Sequence, residues 1–517
     1  MVTQPVNFYS NAPYEEKLGG FRPGFPLYPT ETDLRGWKET LRKSQQLNQN
    51  PGTKNMKNTR LILLIAVFAA AAIASPDLRG ATIIVTEASD SGPGTLRQAL
   101  ADAQDGDTIT FDQAIYNTLW VTHGDLVVDK SVAIVGLGAN RLTVDADHAN
   151  RVFYISPNKT VSISGLTIAN GSAPSPYFGG GIYNDHGNLT VSSCTITGNV
   201  AVSGVGGGIF NDNGTLTVLG STLTGNSTWY GGAVSTNWLG GGTATVTITN
   251  STLSGNTASY GGGIINENAT LILSNSTVNG NSAEYGGGGL DNGGYAGTST
   301  VAIINSTLSA NSAAFGGGVL NDANGTMTIS NSTFSGNSAG TGHNVEFDGF
   351  GGGIWNVQTL TITNSTLSGN SALTEGGAIC NGGNFSNPIL KIGGTIFNAS
   401  SSGGNIYNES GTTISLGYNL SSDDGAGYLT GTADRINTDP RLGPLQNNGG
   451  PTFTHLPAPN SPAIDGNDPA LAMDQRGAGF ARVVNGRADI GAVEVQVAPS
   501  PTPTPTPTPT PRPHGRR

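Results

Sequence analysis

Charge is scarce in this chain, and positive charge most of all. Only 11% of the 517 residues are Asp, Glu, Lys or Arg. Between Val152 and Asp434 there is no arginine, and Lys159 and Lys391, near the ends of that stretch, are its only lysines. The formal net charge is -11. An acidic chain is a poor partner for nucleic acid, which is held mainly by Lys and Arg on phosphate. Cysteine is nearly absent: Cys194 and Cys380 are too few for a disulfide framework. The six histidines are scattered without metal-ligand spacing, so no metal and no cofactor is expected. No helical periodicity runs between Asn170 and Asn398, which excludes an α/β or helical body for that half of the chain.

Long apolar runs are missing too, with one exception. Met56–Ala74, MKNTRLILLIAVFAAAAIA, has a positive start at Lys57 and Arg60, an apolar middle from Leu61 to Ala72, and small residues at Ala72 and Ala74. This is the pattern of a secretory signal, cut between Ala74 and Ser75. The run is short for a membrane span, which needs about 20 residues. The reading is an exported protein, extracellular or on the outer cell surface, with no transmembrane segment in the mature chain. Residues 1–55 then stand upstream of the signal, either disordered or the product of a start site set too early, with translation beginning at Met56. Removing residues 1–74 takes nine basic and five acidic residues from totals of 24 and 35. The mature chain keeps 15 and 30, a net charge of -15.

Glycine is abundant, at 77 residues, and it recurs in register. STLSGNTASYGGGIIN at 251–266 returns as STLSANSAAFGGGVLN at 306–321 and more loosely at 365–381. One marker is Gly-Gly-x-apolar, as at Gly206–Ile209 and Gly261–Ile264. Another is apolar-x-x-Asn, ending at Asn199, Asn226, Asn256, Asn281, Asn311, Asn337 and Asn370 at intervals of 25 to 33 residues. A third is a short alternating run such as LTVSSCTIT or LTITNSTL. Period-2 alternation rich in Thr, Val and Ile and bounded by Gly and Asn reads as strand. Each unit holds about three short strands and cannot bury a face alone, so the units must stack as a coil. The predicted fold is all-β: a right-handed, single-stranded parallel β-helix of the pectin-lyase-like kind, its hand following the usual crossover preference. Stacked Asn at equivalent turns should form an internal amide ladder. The two cysteines, seven coils apart at about 4.8 Å each, should be free and buried.

The ends need covers. Thr95 and Gln98 have capping-box spacing, and Leu96, Ala99, Leu100 and Ala103 share one helical face. Residues 95–104 therefore read as a short helix over the first coil, stopped by Gly106. Residues 75–168 form the N-terminal cap and first coils, 169–420 the repetitive body and 421–494 an irregular C-terminal cap. Residues 495–517, with PSPTPTPTPTPTP at 499–511, form a disordered linker tail.

The repeat resembles that of polymorphic outer membrane proteins: Gly376–Ile379 reads GGAI, and Phe334–Asn337 matches their Phe-x-x-Asn. TLRQALADAQDGDTITFD resembles the start of bacterial right-handed β-helix repeat proteins. TDPRLGPLQNNGG through GRADIGAVE resembles their C-terminal, choice-of-anchor type region. The resemblance spans about residues 81–494 and implies a surface-exposed, adhesin-like protein associated with the cell outer membrane. No alternating segments of a C-terminal barrel follow, which leaves the anchoring mechanism open.

The β-helix also carries polysaccharide lyases and glycoside hydrolases, so fold alone does not decide function. A lyase base, Arg or Lys beside calcium-binding carboxylates, is missing from the body. Asn437-Thr438-Asp439 resembles one polygalacturonase motif without its companions. The best fallback enzyme site is Asp439, Arg441, Asp465, Asp474, Arg476 and Asp489, whose plainer reading is ion pairs in an end cap. Acids beside the strand-ending Asn, namely Asp185, Asp212, Glu267, Asp291 and Asp322, could hold Ca²⁺, but read first as solvated turn residues. The Asn-Ser-Thr triplets, such as Asn250–Thr252, arise from the turn itself.

One further column stands out. Before the glycines sit Phe178, Tyr230, Tyr260, Tyr285, Phe315 and Phe350, with Val205 and Glu375 in the other two copies. Successive coils would stack these rings about 4.8 Å apart, either as a corner-closing ladder or as a strip contacting a ligand. The reading is a secreted or cell-surface structural, adhesin-like solenoid, non-catalytic in its body. Its partner would be a polysaccharide or a component of a neighbouring cell surface. The alternatives are a carbohydrate-active enzyme, lyase or hydrolase, and a carbohydrate-binding protein.

Overall fold

The computed structural model describes residues 80–496, except 175–176, 238–241, 295–296, 341–348, 384–386, 399, 401, 467–472 and 485. Residues 1–79 and 497–517, with the segment upstream of the signal, the Ala74–Ser75 cleavage point and the Pro-Thr tail, lie outside the described residues.

The alternating segments do form strands, and each pairs in parallel with its counterpart one repeat later. Ala244–Thr249, for example, pairs with Thr215–Leu219 on one side and Ala269–Ser274 on the other. The coil has three long parallel sheets of 13, 12 and 11 strands. The 13-stranded sheet takes the xLTIT runs, the 12-stranded sheet the STLS runs and the 11-stranded sheet the GGGIxN runs. This is the parallel β-solenoid that the period implies. A fourth, seven-stranded sheet from Val200–Val205 to Ser371–Ala372 adds a strand per coil that the repeat pattern does not reveal. Its strands shrink from the six residues of Val200–Val205 to two in the last three copies and lack alternation, so periodicity could not mark them.

The lumen is filled by one apolar stack. Ile182, Ile209, Val234, Ile264, Leu290, Val319, Ile354 and Ile379 succeed each other, all fully buried. The predicted amide ladder is present. From Asn199 through Asn226, Asn256, Asn281, Asn311 and Asn337, each Nδ2 donates to the Oδ1 of the next asparagine, ending on Asn370, at 2.9–3.0 Å. A second ladder runs Asn266, Asn292, Asn321, Asn356, Asn381 and Asn408. Asn250, Asn275, Asn305, Asn331 and Asn364 hold left-handed backbone at the corner into the 12-stranded sheet, so the Asn-Ser-Thr triplets are indeed turn chemistry. Cys194 and Cys380 are free and buried.

Helix α1, Leu96–Asp102, buries Leu96, Ala99 and Leu100 at the N-terminal end, and Thr95 Oγ1 accepts from Gln98 N at 3.2 Å. It stops earlier than the sequence suggests. Ala103 already leaves the helix at φ -60, ψ 150. Gly106 instead serves the turn into Thr108–Phe111, with φ 101 and its N–H on the Ser131 carbonyl.

The C-terminal region does more than close an end. Leu429 joins the apolar stack of the lumen. The chain then runs back along the outer face of the 12-stranded sheet. There Thr307 Oγ1 donates to the Phe453 carbonyl, Thr333 Oγ1 to Gln475 Oε1, and Ala492 N to Thr366 Oγ1, at 2.6, 2.6 and 3.0 Å. A cap was expected; a lateral strap is found as well.

Candidate functional site

The aromatic column forms, with corrections. Phe178, Val205, Tyr230 and Tyr260 share one register, continued by Gly286, Phe315, Phe350 and Glu375. Gly286, not Tyr285, takes the fifth slot, because the strand shifts register between Ala258 and Tyr260. Tyr285 still stacks on Tyr260, with centroids 5.2 Å apart and planes at 27°. Tyr230 and Tyr260 stack at 5.5 Å and 7°. The phenylalanines lean instead across the 11-stranded sheet: Phe178 onto Phe210 at 5.1 Å, and Phe315 and Phe350 onto Trp355 at 4.9 and 6.3 Å. All six rings are half-buried. The phenylalanines thus cover outward side chains of the GGGIxN strands, where Phe210 is buried.

The same outer face carries a polar group at its N-terminal end. Strands Phe153–Ile155, Ile182–Asp185 and Ile209–Asp212 align Tyr154 with Tyr183 and Phe210, and Asp185 with Asp212. Tyr154 donates its phenol to Asp185 Oδ2 at 2.5 Å, and Tyr183 donates to Asp212 Oδ2 at 3.3 Å. His186 Nδ1 lies 2.5 Å from Asp185 Oδ1. One ligand atom from each of Asp185, His186 and Asp212 falls within 4.8 Å of the others, close enough to share an ion. Arg151 closes the group from beneath. It pairs with Asp125 at 2.6 Å, donates Nε to the Phe178 and Gly179 carbonyls, and lies over the Tyr183 ring at 5.2 Å.

Electrostatics fixes what these groups can do. Burial, then the hydrogen bond to Asp185, pushes the Tyr154 phenol up to about 12. Burial and the charge of Asp212 raise Tyr183 as well. Burial raises Asp212 and lowers Arg151, the latter opposed by Asp125. Both phenols keep their protons and spend them on carboxylates, so neither is a base. His186 is the exposed member. The sequence reading missed Arg151, Tyr154, Tyr183 and His186. The available signal was Asp185 and Asp212, each just after the strand-ending Asn of successive copies.

The C-terminal set divides. Asp474 and Arg476 form a buried pair at 2.6 Å, Asp474 also accepts from Glu494 N, and Arg476 sits 4.0 Å from the Phe480 ring. Asp489 accepts from the backbone of Asp465 and of Val495, each carboxylate oxygen taking one. Asp439 accepts from Arg441 N, and Arg441 reaches the Asn460 carbonyl; both are exposed. These groups are engaged in holding loops.

The sequence suggested that the acids beside the strand-ending Asn are solvated, and not all of them are. Asp322 is exposed and Asp185 and Asp212 are half-buried, but Glu267 and Asp291 are buried. Asp291 lies beside the glycine of the aromatic column: a Cβ at Gly286 would stand 3.6 Å from its Oδ2 and 3.8 Å from the Tyr260 ring.

No protein family and no curated protein matches this chain. Solved structures with a similar overall course include the pectate lyase Pel9A, at 14% identity, 83% of this chain, 98% of that chain and TM-score 0.45. Others are the PL6 alginate lyase AlyGC, at 13%, 82%, 59% and 0.43, and the alginate lyase AlyF-OU02 in complex with G6, at 11%, 83%, 99% and 0.37.

Proposed function

We propose that the chain is an exported or cell-surface structural solenoid that acts as an adhesin-like scaffold, without catalysis in its repeat body. The observation that carries this reading is the outer face of the 13-stranded sheet. Over eight consecutive strands, from Thr160–Ser164 to Thr359–Thr363, every outward position is uncharged, and most carry Thr or Ser. Such a surface offers hydroxyls and methyls in register but nothing to abstract a proton or grip a uronate. It suits repeated weak contacts with a neutral partner, such as a polysaccharide or the surface of a neighbouring cell. Export rests on the signal-like segment 56–74.

A second reading, a carbohydrate-active enzyme, is favoured by the Tyr154, Asp185, His186 and Asp212 group. Incubating the mature chain with a panel of acidic and neutral polysaccharides separates the two. The expected result is binding on a glycan or cell-surface array with no release of unsaturated or reducing ends. Turnover that is lost in Asp185→Asn, or in the C-terminal variant Asp465→Ala, would establish the enzyme instead.

A further inference from the structure

The corner where the seven-stranded sheet begins breaks the regularity of the coil. Val200–Val205 pairs with Ser227–Tyr230, with Ala201 opposite Thr228 and Val205 opposite Tyr230. Three residues, Val202, Ser203 and Gly204, therefore stand opposite Trp229 alone, a β-bulge. On the other side Phe178 bridges Val205, and Val205 N donates to the Tyr177 carbonyl at 3.2 Å. Tyr177 and Trp229, each just before a ring of the aromatic column, thus flank the bulge from the coils on either side. Gly204 makes room for the first of them, since a Cβ there would stand 2.6 Å from Tyr177 Cβ. In later copies the residue before the ring is Ser259, Glu284, Ala314 or Gly349, so aromatic side chains at this position are confined to this corner.

The bulge leaves apolar groups in water. Val202 is 60% exposed, Trp229 46% and Tyr177 43%. Among the described residues neither Tyr177 nor Trp229 stacks on another ring, whereas Tyr230 and Tyr260 of the column stack on each other. Tyr177 and Ser203 also hold left-handed backbone, at φ 67 and 54, a conformation disfavoured for a side chain as bulky as tyrosine. Bulges and strained residues of this kind gather at working sites, where they aim side chains, and adjoining exposed apolar groups mark contact surfaces. The contact is not with an anion. Between Lys159 and Lys391 the chain has no Lys or Arg, and Arg151, which reaches the Phe178 carbonyl, is buried and paired with Asp125.

We propose that Tyr177, Trp229 and the bulge between them form a platform for a neutral glycan chain. Rings of this kind offer an apolar face to the C–H face of a pyranose, while the phenol and the indole N–H reach its hydroxyls. They supply that contact at low cost in side-chain entropy. Tyr177 and Trp229 belong to coils two apart, about 10 Å along the solenoid. That is close to a disaccharide repeat of an extended glycan, in which alternate sugars present the same face. The glycan would run along the solenoid axis, one sugar on each ring and the sugar between them over Val202 and Gly204. This rests on the reading of the chain as a scaffold that meets a neutral polysaccharide, and it puts the point of contact at one corner of the N-terminal half.

The test is titration of the full chain with cellohexaose, xylohexaose and mannohexaose, and with hexagalacturonate as the anionic probe, followed by tryptophan fluorescence and calorimetry. At least one neutral hexasaccharide should change the emission and saturate, and hexagalacturonate should not. Trp229→Ala and Tyr177→Ala should each weaken that binding by about tenfold in calorimetry, with melting unchanged because both side chains are exposed. Trp120→Ala removes a tryptophan of similar exposure at the start of the 12-stranded sheet and should keep full binding. Binding that survives Trp229→Ala and Tyr177→Ala but is lost in Thr247→Lys, on the outer face of the 13-stranded sheet, would overturn the platform and leave the scaffold reading standing. Cleavage of a hexasaccharide whose binding still depends on Trp229 would do the reverse. Preference for hexagalacturonate, or no binding at all by the native chain, would overturn the platform outright.

Discussion

Single residues at the corners set the local cost of the coil. The turn after each STLS strand takes left-handed backbone, and Gly225, Gly255, Gly280, Gly336 and Gly369 supply it at φ 61 to 65. Ala310 occupies that slot in one copy at φ 52. A left-handed residue with a Cβ costs about 1–2 kcal/mol, while glycine loosens the unfolded chain by roughly 0.5–1 kcal/mol. Ala310→Gly should therefore stabilise by about 0.5–1 kcal/mol in urea titration; a loss of stability would show the corner tolerates the methyl freely. Glu267 sets a different dependence. Burial, with the Asp322 charge adding, moves it from the ordinary 4.5 to about 8. The folded chain then holds that proton more tightly than the unfolded chain does. Its contribution is complete below pH 4.5 and is lost as pH rises through about 8. Stability should fall across that window by an amount of the order of a few kcal/mol. Glu267→Gln should flatten the fall, which a pH series of denaturant midpoints measures.

At the scale of elements, the rings before the glycines and the strands beneath them form one layer. Phe178, Phe315 and Phe350 lie on Phe210 and Trp355 of the 11-stranded sheet, so the ladder reading of the column has the contacts it needs. Replacing Tyr230, Tyr260 and Tyr285 together by Ser should lower the melting temperature steeply; binding lost at unchanged melting would make the column the working surface. The repeats made the three long sheets, the lumen and the Asn199–Asn370 ladder legible, because period-2 alternation and a fixed Asn recur in every copy. The seven-stranded sheet was not legible, since runs as short as Ser312–Ala313 carry no pattern. Nor was the grouping of Asp185, His186 and Asp212, which comes from the register of neighbouring coils and not from spacing along the chain. The burial of Glu267 and Asp291 was hidden for a similar reason. Glu267 follows its Asn just as Asp212 does, and Asp291 precedes its own, so position along the chain does not separate the buried acids from the half-buried one.

The described residues form a stack in which most coils touch only their neighbours, and for such stacks stability is a sum of unit and interface terms. The C-terminal strap breaks that rule for one half. It covers the outer Thr column of the 12-stranded sheet at Thr307, Thr333 and Thr366, all buried, while Thr222, Thr252 and Thr277 of the same column stay half-exposed. Gln475, fully buried, links four groups: its amide nitrogen donates to the Ser306 carbonyl, Thr307 Oγ1 and Thr452 Oγ1, and its carbonyl accepts from Thr333. Met473 and Gly491 add backbone contacts to Asn331 and Gly394. Coils joined this way must open together, whereas the unstrapped coils can open singly from their end. Native-state hydrogen exchange should show Thr307–Ser309, Thr333–Ser335 and Thr366–Ser368 more protected than Thr195–Thr197, Thr222–Thr224 and Thr252–Ser254. Gln475→Ala leaves several buried groups unpaired, at about 2–4 kcal/mol. It should bring the protection of the strapped half down toward that of the other and leave the N-terminal coils unchanged. Equal protection of the two halves in the native chain would mean that the strap merely rests on the sheet, and that stacking alone holds the solenoid.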